Sequence, residues 1–248
     1  MFNYKKVAKE IGWNFAKINP LVEHSSSYDY YTEVVKNINP NTKMLDIGCG
    51  SAEKAIRFYS LANKVYELDH EEEMLKKAQK NVKKYYEDIP KIKDKFSFFK
   101  ADSDNSLPFE NETFDLVVSR HCGANMNEVY RVLKKGGIFI SEDVSNDDCQ
   151  ELKDFFKRGQ DYNEEPLYKK VMNNCIELGF QKIEFLRFEE IEYYKNEVEL
   201  KYLLSHTPIL NGFDEEKDNG KLQEYISKFK TNKGIQLNRR LYAFKLIK

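Results

Sequence analysis

One segment constrains this chain more than any other: Met44-Leu45-Asp46-Ile47-Gly48-Cys49-Gly50-Ser51-Ala52-Glu53. A short apolar run, Lys43–Ile47, ends on two closely spaced glycines. Behind them Ala52, Ala55, Ile56, Tyr59 and Ala62 recur at helical spacing. Strand, glycine turn and helix in that order open a βαβ unit, and such units build parallel sheets with right-handed crossovers. The alternation continues downstream. Lys64–Leu68 reads as a second strand, followed by a helix with Met74, Leu75, Ala78, Val82 and Tyr85 on one face and Glu71-Glu72-Glu73 in its first turn, where acidic side chains complement the helix dipole. Phe96–Phe99 and Phe114–Val118 are further strands. A helix through Val129, Val132 and Leu133 stops at Lys134-Lys135-Gly136-Gly137, and Ile138–Ile140 opens a fifth strand.

The C-terminal part is less regular. Leu167, Val171, Cys175 and Leu178 mark a helix ending at Gly179, Ile183 and Phe185 a strand, and Leu241–Ile247 a last strand. Between these two strands two helices are expected, near Val198–Leu204 and Leu222–Phe229. The expectation is one α/β domain over residues 1–248, doubly wound on a mostly parallel seven-stranded sheet. Residues 1–40 form an N-terminal helical lid, 43–144 the ligand-binding core, and 145–248 the rest of the sheet with a helical insertion at about 192–238.

In an open α/β sheet, ligands bind beyond the carboxyl ends of the strands where strand order reverses. Two ligand classes use a glycine turn there, and charge separates them. A dinucleotide needs Gly-x-Gly-x-x-Gly or Ala, with its pyrophosphate at the helix N-terminus. Here the third position is Glu53, which repels a pyrophosphate, and Asp46 adds negative charge just before the turn. A donor carrying an ammonium and a sulfonium suits these charges better. Asp69 ends the second strand 23 residues after Asp46, close to the roughly 20-residue spacing at which a carboxylate meets ribose hydroxyls. Either ligand would use it.

With these residues in place, the chain resembles the class I S-adenosylmethionine-dependent methyltransferases, in particular the group with the domain of ubiquinone-biosynthesis and related small-molecule methylating enzymes. The matching segments are Leu45–Gly50, Glu67-Leu68-Asp69 before Glu73-Met74-Leu75, and Lys100-Ala101-Asp102 followed by Leu107-Pro108-Phe109. Phe114–Ser119 and Val129–Gly137 complete the series. The resemblance implies S-adenosylmethionine as cofactor. Asp46, Gly48 and Gly50 would cradle its amino-acid end, Asp69 would hold the ribose and Asp102 would hydrogen-bond the adenine amino group, with Cys49, His70, Ala101 and Ser103 also among the cofactor-binding residues. Ser119 would lie along the methionine moiety. Ala52 stands where many relatives have glycine, at little expected cost because alanine favours the helix.

Methyl transfer from a sulfonium is an in-line displacement with a good leaving group, so positioning carries much of the catalysis and a general base is optional. The candidates follow the fourth strand. His121 could take a proton at neutral pH, and Arg120 could recognise an acceptor carboxylate or pair with Glu142 or Asp143. Trp13, Phe15, Tyr28, Tyr30, Tyr31 and His206 are expected to form a lid over the acceptor or to cap the core.

Composition narrows the partners. Forty basic residues against 41 acidic ones leave a net charge of −1, which disfavours a nucleic-acid partner. Four scattered cysteines, with no Cys-x-x-Cys pair or Cys/His cluster, argue against a metal site and suit a reducing compartment. No stretch approaches the roughly 20 apolar residues of a membrane span. A soluble cytoplasmic methyltransferase with a small-molecule acceptor is the reading, with an RNA acceptor or a non-catalytic cofactor-binding role as alternatives.

Overall fold

The structure, a computed structural model, describes residues 2–13, 15–53, 55–87, 89–162 and 164–248. Its elements begin with α1 (Tyr4–Glu10), β1 (Leu21–His24), α2 (Tyr30–Val35), β2 (Lys43–Ile47), α3 (Ile56–Tyr59), β3 (Lys64–Asp69), α4 (Glu72–Tyr85), α5 (Pro90–Lys93) and β4 (Phe96–Lys100). They continue with β5 (Phe114–Arg120), α6 (Met126–Val132), β6 (Leu133–Val144), α7 (Gln150–Phe156), α8 (Leu167–Leu178), β7 (Lys182–Tyr194), α9 (Glu197–His206), α10 (Asn219–Phe229), β8 (Lys230–Thr231) and β9 (Gly234–Ile247). One nine-stranded sheet runs in the order β1-β7-β9-β6-β5-β2-β3-β4, with β8 paired to β9. The half from β6 to β4 is parallel and the half from β9 outward is antiparallel. Strand order reverses between β2 and β5, at the mouth of the glycine turn.

The seven expected strands are all present, and two more extend the sheet. β1 adds an antiparallel edge to β7, from Leu21 opposite Tyr193 to His24 opposite Glu190. The N-terminal segment is therefore part sheet, not wholly helical. β7 and β9 are also far longer than their apolar runs suggest, pairing from Lys182–Ile247 to Tyr194–Ile235. Their added length is polar, and opposite charges face each other across it, Glu189 against Arg240 and Glu190 against Arg239, which stabilises antiparallel pairs.

Side chains alternate across each strand, so the two faces have separate cores. Met44, Val65, Val118 and Ile140 pack with Tyr30 and Val34 of α2, Ile56 and Tyr59 of α3, and Ala78 and Val82 of α4. Leu45, Leu68, Val117 and Phe139 pack on the other face with Val129 and Val132 of α6 and Cys175 of α8. α4 owes its register to one apolar stripe, Met74, Leu75, Ala78 and Val82, with Glu72 and Glu73 at its start and Lys83 and Lys84 at its end. Among the described residues no helix is long and apolar enough to cross a membrane.

The helical insertion has its own core, in which Leu200, Leu203 and Leu204 of α9 and Leu222 and Tyr225 of α10 meet Leu152 and Phe156 of α7 and Leu237 of β9. A buried ion pair fastens the segment before α7 to β7 and β9 beside it. The Arg239 guanidinium donates to both Asp148 oxygens, Nε to Oδ1 at 3.0 Å and Nη2 to Oδ2 at 3.1 Å, and Nη1 donates to Glu192 Oε1 at 3.0 Å. Removing Asp148 leaves a buried guanidinium with Glu192 as its one remaining carboxylate in this pair. Asp148→Ala should therefore lower unfolding free energy by about 3–5 kcal/mol in urea titration; a loss below about 1 kcal/mol would mean that the guanidinium finds water or another acceptor.

Candidate donor and acceptor site

The glycine turn is held by the end of β3. Gly48 and Cys49 N–H both donate to the Leu68 carbonyl, at 2.8 and 3.0 Å. The Asp69 carboxylate then reaches in two directions, accepting from Gly50 N–H on Oδ2 at 2.9 Å and from Glu71 N–H on Oδ1 at 2.8 Å, while its own carbonyl accepts from Ala101 N–H at 3.2 Å. Three loops, after β2, β3 and β4, therefore converge on one residue. Asp69 keeps lone pairs for two further donors, since each carboxylate oxygen can accept twice. Burial is the main influence on its carboxyl and raises its pKa, against the lowering effect of those backbone donors.

Gly48 and Gly50 both sit at positive φ, +73° and +55°, where glycine is free of strain. They differ in surroundings. A Cβ on Gly48 would lie 2.4 Å from Cys122 Cβ, whereas one on Gly50 would meet only the Met74 methyl at 3.4 Å. Gly48 thus makes room for the loop after β5, and Gly50 leaves the turn open. Ala52 overturns the expectation of a cheap replacement. Its φ is +54°, the left-handed region, and the helix behind the turn shrinks to the four residues of α3.

Beneath the turn lie two carboxyl groups. Asp46 and Glu67 are register partners on β2 and β3 and share the face covered by α2, α3 and α4. Glu67 is 0% exposed, and among the described residues its oxygens meet no backbone or cationic donor, only the Cys49 thiol and the Asp46 carboxyl. Burial raises both carboxyls, Asp46 to about 7, with Asp69 adding to the effect on Asp46 and Asp46 to that on Glu67. Two adjoining carboxylates cannot both stay ionised cheaply in such a place. Glu67 lies inside one of the matching segments, yet spacing alone assigns it no role. A charge at the centre of Val65-Tyr66-Glu67-Leu68, a strand covered on both faces, is the signal that marks it.

The other expected donor residues line the rim. His70 is exposed, its ring 3.8 Å from Asp69 and 3.5 Å from Glu71. Asp102 is exposed, with its oxygens accepting from Asp104 N–H and Asn105 Nδ2, both at 3.0 Å. Ser103 donates to the Gly123 carbonyl at 2.8 Å and so ties the loop after β4 to the loop after β5. Ser119 is buried, and its hydroxyl donates to the Cys122 carbonyl at 2.6 Å, so it shapes the loop that holds Cys122 over Gly48.

On that loop Arg120 takes the structural partner. Its Nε donates to Glu142 Oε1 at 2.8 Å, and its guanidinium lies over the rings of Tyr30 and Tyr31 at 5.7 and 5.6 Å. His121 is another non-glycine residue in the left-handed region, at φ +55°. Its N–H donates to the Glu142 carbonyl at 2.8 Å, and its Nε2 lies 3.4 Å from Glu142 Oε1. Burial pushes the Glu142 carboxyl up, but His121 and Arg120 together outweigh it and hold the pKa below the ordinary value. Of the aromatic flank, Tyr30 is buried and Tyr28 and Tyr31 pack on the same core, so they cap it. Phe15 and His206 go elsewhere, both against Tyr202 of the insertion, and Trp13 stacks near Phe2 and Tyr4.

A family model described as a methyltransferase domain matches residues 38–217. The chain belongs to that methyltransferase-domain family. A sterol 24-C-methyltransferase of Clavispora lusitaniae is 28% identical to it over 147 residues, covering 52% of this chain and 37% of that protein. A demethylmenaquinone methyltransferase of Lysinibacillus sphaericus is 25% identical over 164 residues, covering 61% and 66%. The chain thus spans about a third of the first relative and about two thirds of the second. Among solved structures, the YcgJ protein of Bacillus subtilis aligns with a TM-score of 0.60 at 17% identity, over 88% of this chain and 97% of that one. A phosphoethanolamine N-methyltransferase 2 of Haemonchus contortus aligns at 0.56 and 17% identity, over 100% and 61%. Both show a shared Rossmann-like methyltransferase fold.

The donor of this family is S-adenosylmethionine. The methyltransferase-domain site fits it on its own chemistry: a buried carboxyl with no cation beside it among the described residues suits a ligand carrying an ammonium and a sulfonium, and Gly50 keeps the turn open above it. Left-handed backbone costs an L residue roughly 1–2 kcal/mol, part of which glycine gives back as unfolded-state entropy. Ala52→Gly should consequently stabilise the protein by up to about 1 kcal/mol in denaturant titration; destabilisation would show that the alanine methyl contributes more to the core than its backbone costs.

Proposed function

We propose that this chain transfers a methyl group from S-adenosylmethionine to a small-molecule acceptor admitted over the Arg120–His121 loop. The observation that carries the reading is the contact of Cys122 with Gly48, because it sets the loop bearing Arg120 and His121 directly on the donor turn. When bound, the cofactor supplies a methyl on a positively charged sulfur. The protein has then to orient an acceptor, exclude water and receive a proton where the nucleophile carries one.

His121 is suited to that last task. Its backbone is fixed in an uncommon conformation by the Glu142 carbonyl, and its ring is held near a carboxylate that Arg120 keeps ionised. Such strain is maintained only where surrounding contacts enforce it, and it concentrates at functional positions. Glu142 Oε1 lies 3.4 Å from Nε2 and orients the ring. Arg120 is engaged by Glu142 and by the faces of Tyr30 and Tyr31, so it acts as a positioning residue for this loop.

The relatives support a small acceptor, since the activities in their names concern a sterol, demethylmenaquinone and phosphoethanolamine. The net charge of −1 supports it too, because a polyanionic acceptor is ordinarily met by a basic surface. The test is a transfer assay with donor labelled on the methyl group, run separately on fractionated metabolites and on RNA. Label is expected in a low-mass product, and label found in RNA alone would refute the reading. With that acceptor, His121→Gln should lower kcat by about 10²–10⁴-fold with little change in donor affinity, the usual worth of a general base. A kcat within about twofold of wild type would remove His121 from the chemistry.

A further inference from the structure

Glu67, the carboxyl on which the donor fit rests, is a polar side chain that the fold leaves without a cation among the described residues. It is fully buried in the middle of β3, and among the described residues its oxygens meet no backbone or cationic donor, only the Cys49 thiol and the Asp46 carboxyl. An uncompensated buried carboxylate is expensive, so such a group neutralises or finds an opposite charge. Among the described residues, the groups around it and Asp46 offer no cation. From β2 comes Asp46, from the end of β3 Asp69, from the turn Cys49, from the loop after β5 Cys122, from α2 Tyr30 and from α3 Tyr59. The thiols and phenols are all pushed up by burial and stay neutral near pH 7. Arg120 senses Tyr30 from the far side but is committed to Glu142. His70 lies outside, at the rim beside Asp69.

With the described residues alone, what satisfies both acids is a proton held between them. A carboxylic O–H of one can donate to the carboxylate of the other, an arrangement that needs no further donor. The register of β2 and β3 makes it available by placing Asp46 opposite Glu67 with both side chains on one face.

We infer that Asp46 and Glu67 share one proton in the donor-free protein, and that binding of the cationic donor to the turn above them expels it to solvent. The inference rests on S-adenosylmethionine being the ligand of the turn. Its content is that Glu67 is a donor-specificity residue acting through Asp46, and that donor binding and proton release are linked. No covalent bond to carbon or sulfur changes; one O–H bond breaks, and buffer takes the proton. The sign follows from linkage. A cation binds the ionised pair better than the protonated one, so affinity rises with pH through the titration of the pair and levels off above it.

Calorimetric titration of the full chain with S-adenosylmethionine near pH 7, in phosphate and in Tris, reads the released proton directly as a difference in apparent enthalpy. A clear difference is expected in wild type, together with a donor Kd that falls by up to about tenfold per pH unit between about pH 5 and 7. Glu67→Gln should still bind donor but lose both the buffer dependence and the slope, because the amide introduced by the substitution donates to a permanently ionised Asp46. Identical enthalpies in the two buffers, or a glutamine variant that keeps the proton release, would overturn the inference. Absence of any binding heat would overturn the donor assignment itself. If the variant does not fold, infrared difference spectra of wild type at neutral pH replace it. A protonated-carboxyl band that bleaches on adding donor is expected, and a spectrum without one contradicts the shared proton.

Discussion

The Asp69 carboxylate is the constraint on which the site depends. Its two oxygens hold Gly50 N–H and Glu71 N–H, and its carbonyl holds Ala101 N–H, so the loops after β2, β3 and β4 keep one mutual geometry. Charge-assisted bonds to backbone amides are stronger than neutral ones. They fix the glycine turn before any ligand arrives, which spares the entropy of ordering it on binding. The turn in turn fixes the acceptor side, because Cys122 fills the space beside Gly48 and carries His121 and Arg120 with it.

Side-chain alternation explains why the chemistry gathers on one face. Asp46, Glu67, Arg120 and Glu142 sit at alternate positions to Leu45, Leu68, Val117 and Phe139, and therefore share the side covered by α2, α3 and α4. A polar layer results. At one end Arg120 and Glu142 satisfy each other; at the other, beyond the phenols of Tyr30 and Tyr59, two acids adjoin with no cation among the described residues. The neutral end is protein-complete. The acidic end is complemented by a positively charged ligand, and that asymmetry distinguishes the site from a pyrophosphate-binding turn, whose ligand needs the opposite charge. Glu53, the carboxylate that points away from a pyrophosphate in the sequence, lies exposed in the turn; the stronger repulsion comes from the buried acids below.

The parallel half of the sheet is legible in the sequence because its signals are local: apolar runs of strand length, a glycine turn, and acidic helix starts at the right spacing. What escapes a sequence reading depends on tertiary partners. Ala52 looks like helix by propensity, yet it is left-handed, its N–H donating to the Cys49 carbonyl within the turn, and α3 begins only at Ile56. β7 and β9 look short because much of their length is charged, and only the opposing charge of the partner strand makes that length stable. β1 is four residues, Leu21–His24, and exists only by pairing with β7. The order of motifs points to the donor residues, whereas the Cys122–Gly48 contact joins segments 74 positions apart and has no sequence signature. Glu67 is visible as an anomaly, a charge inside a buried strand.

A thermal-shift titration with S-adenosylmethionine and with NAD, side by side, tests the central claim that the preassembled cradle is shaped and charged for a cation. With ligand at about a hundredfold excess over its Kd, S-adenosylmethionine should raise the melting temperature by about 5–10 °C, and NAD at the same concentration should leave it unchanged. Stabilisation by NAD with none by S-adenosylmethionine would contradict the account.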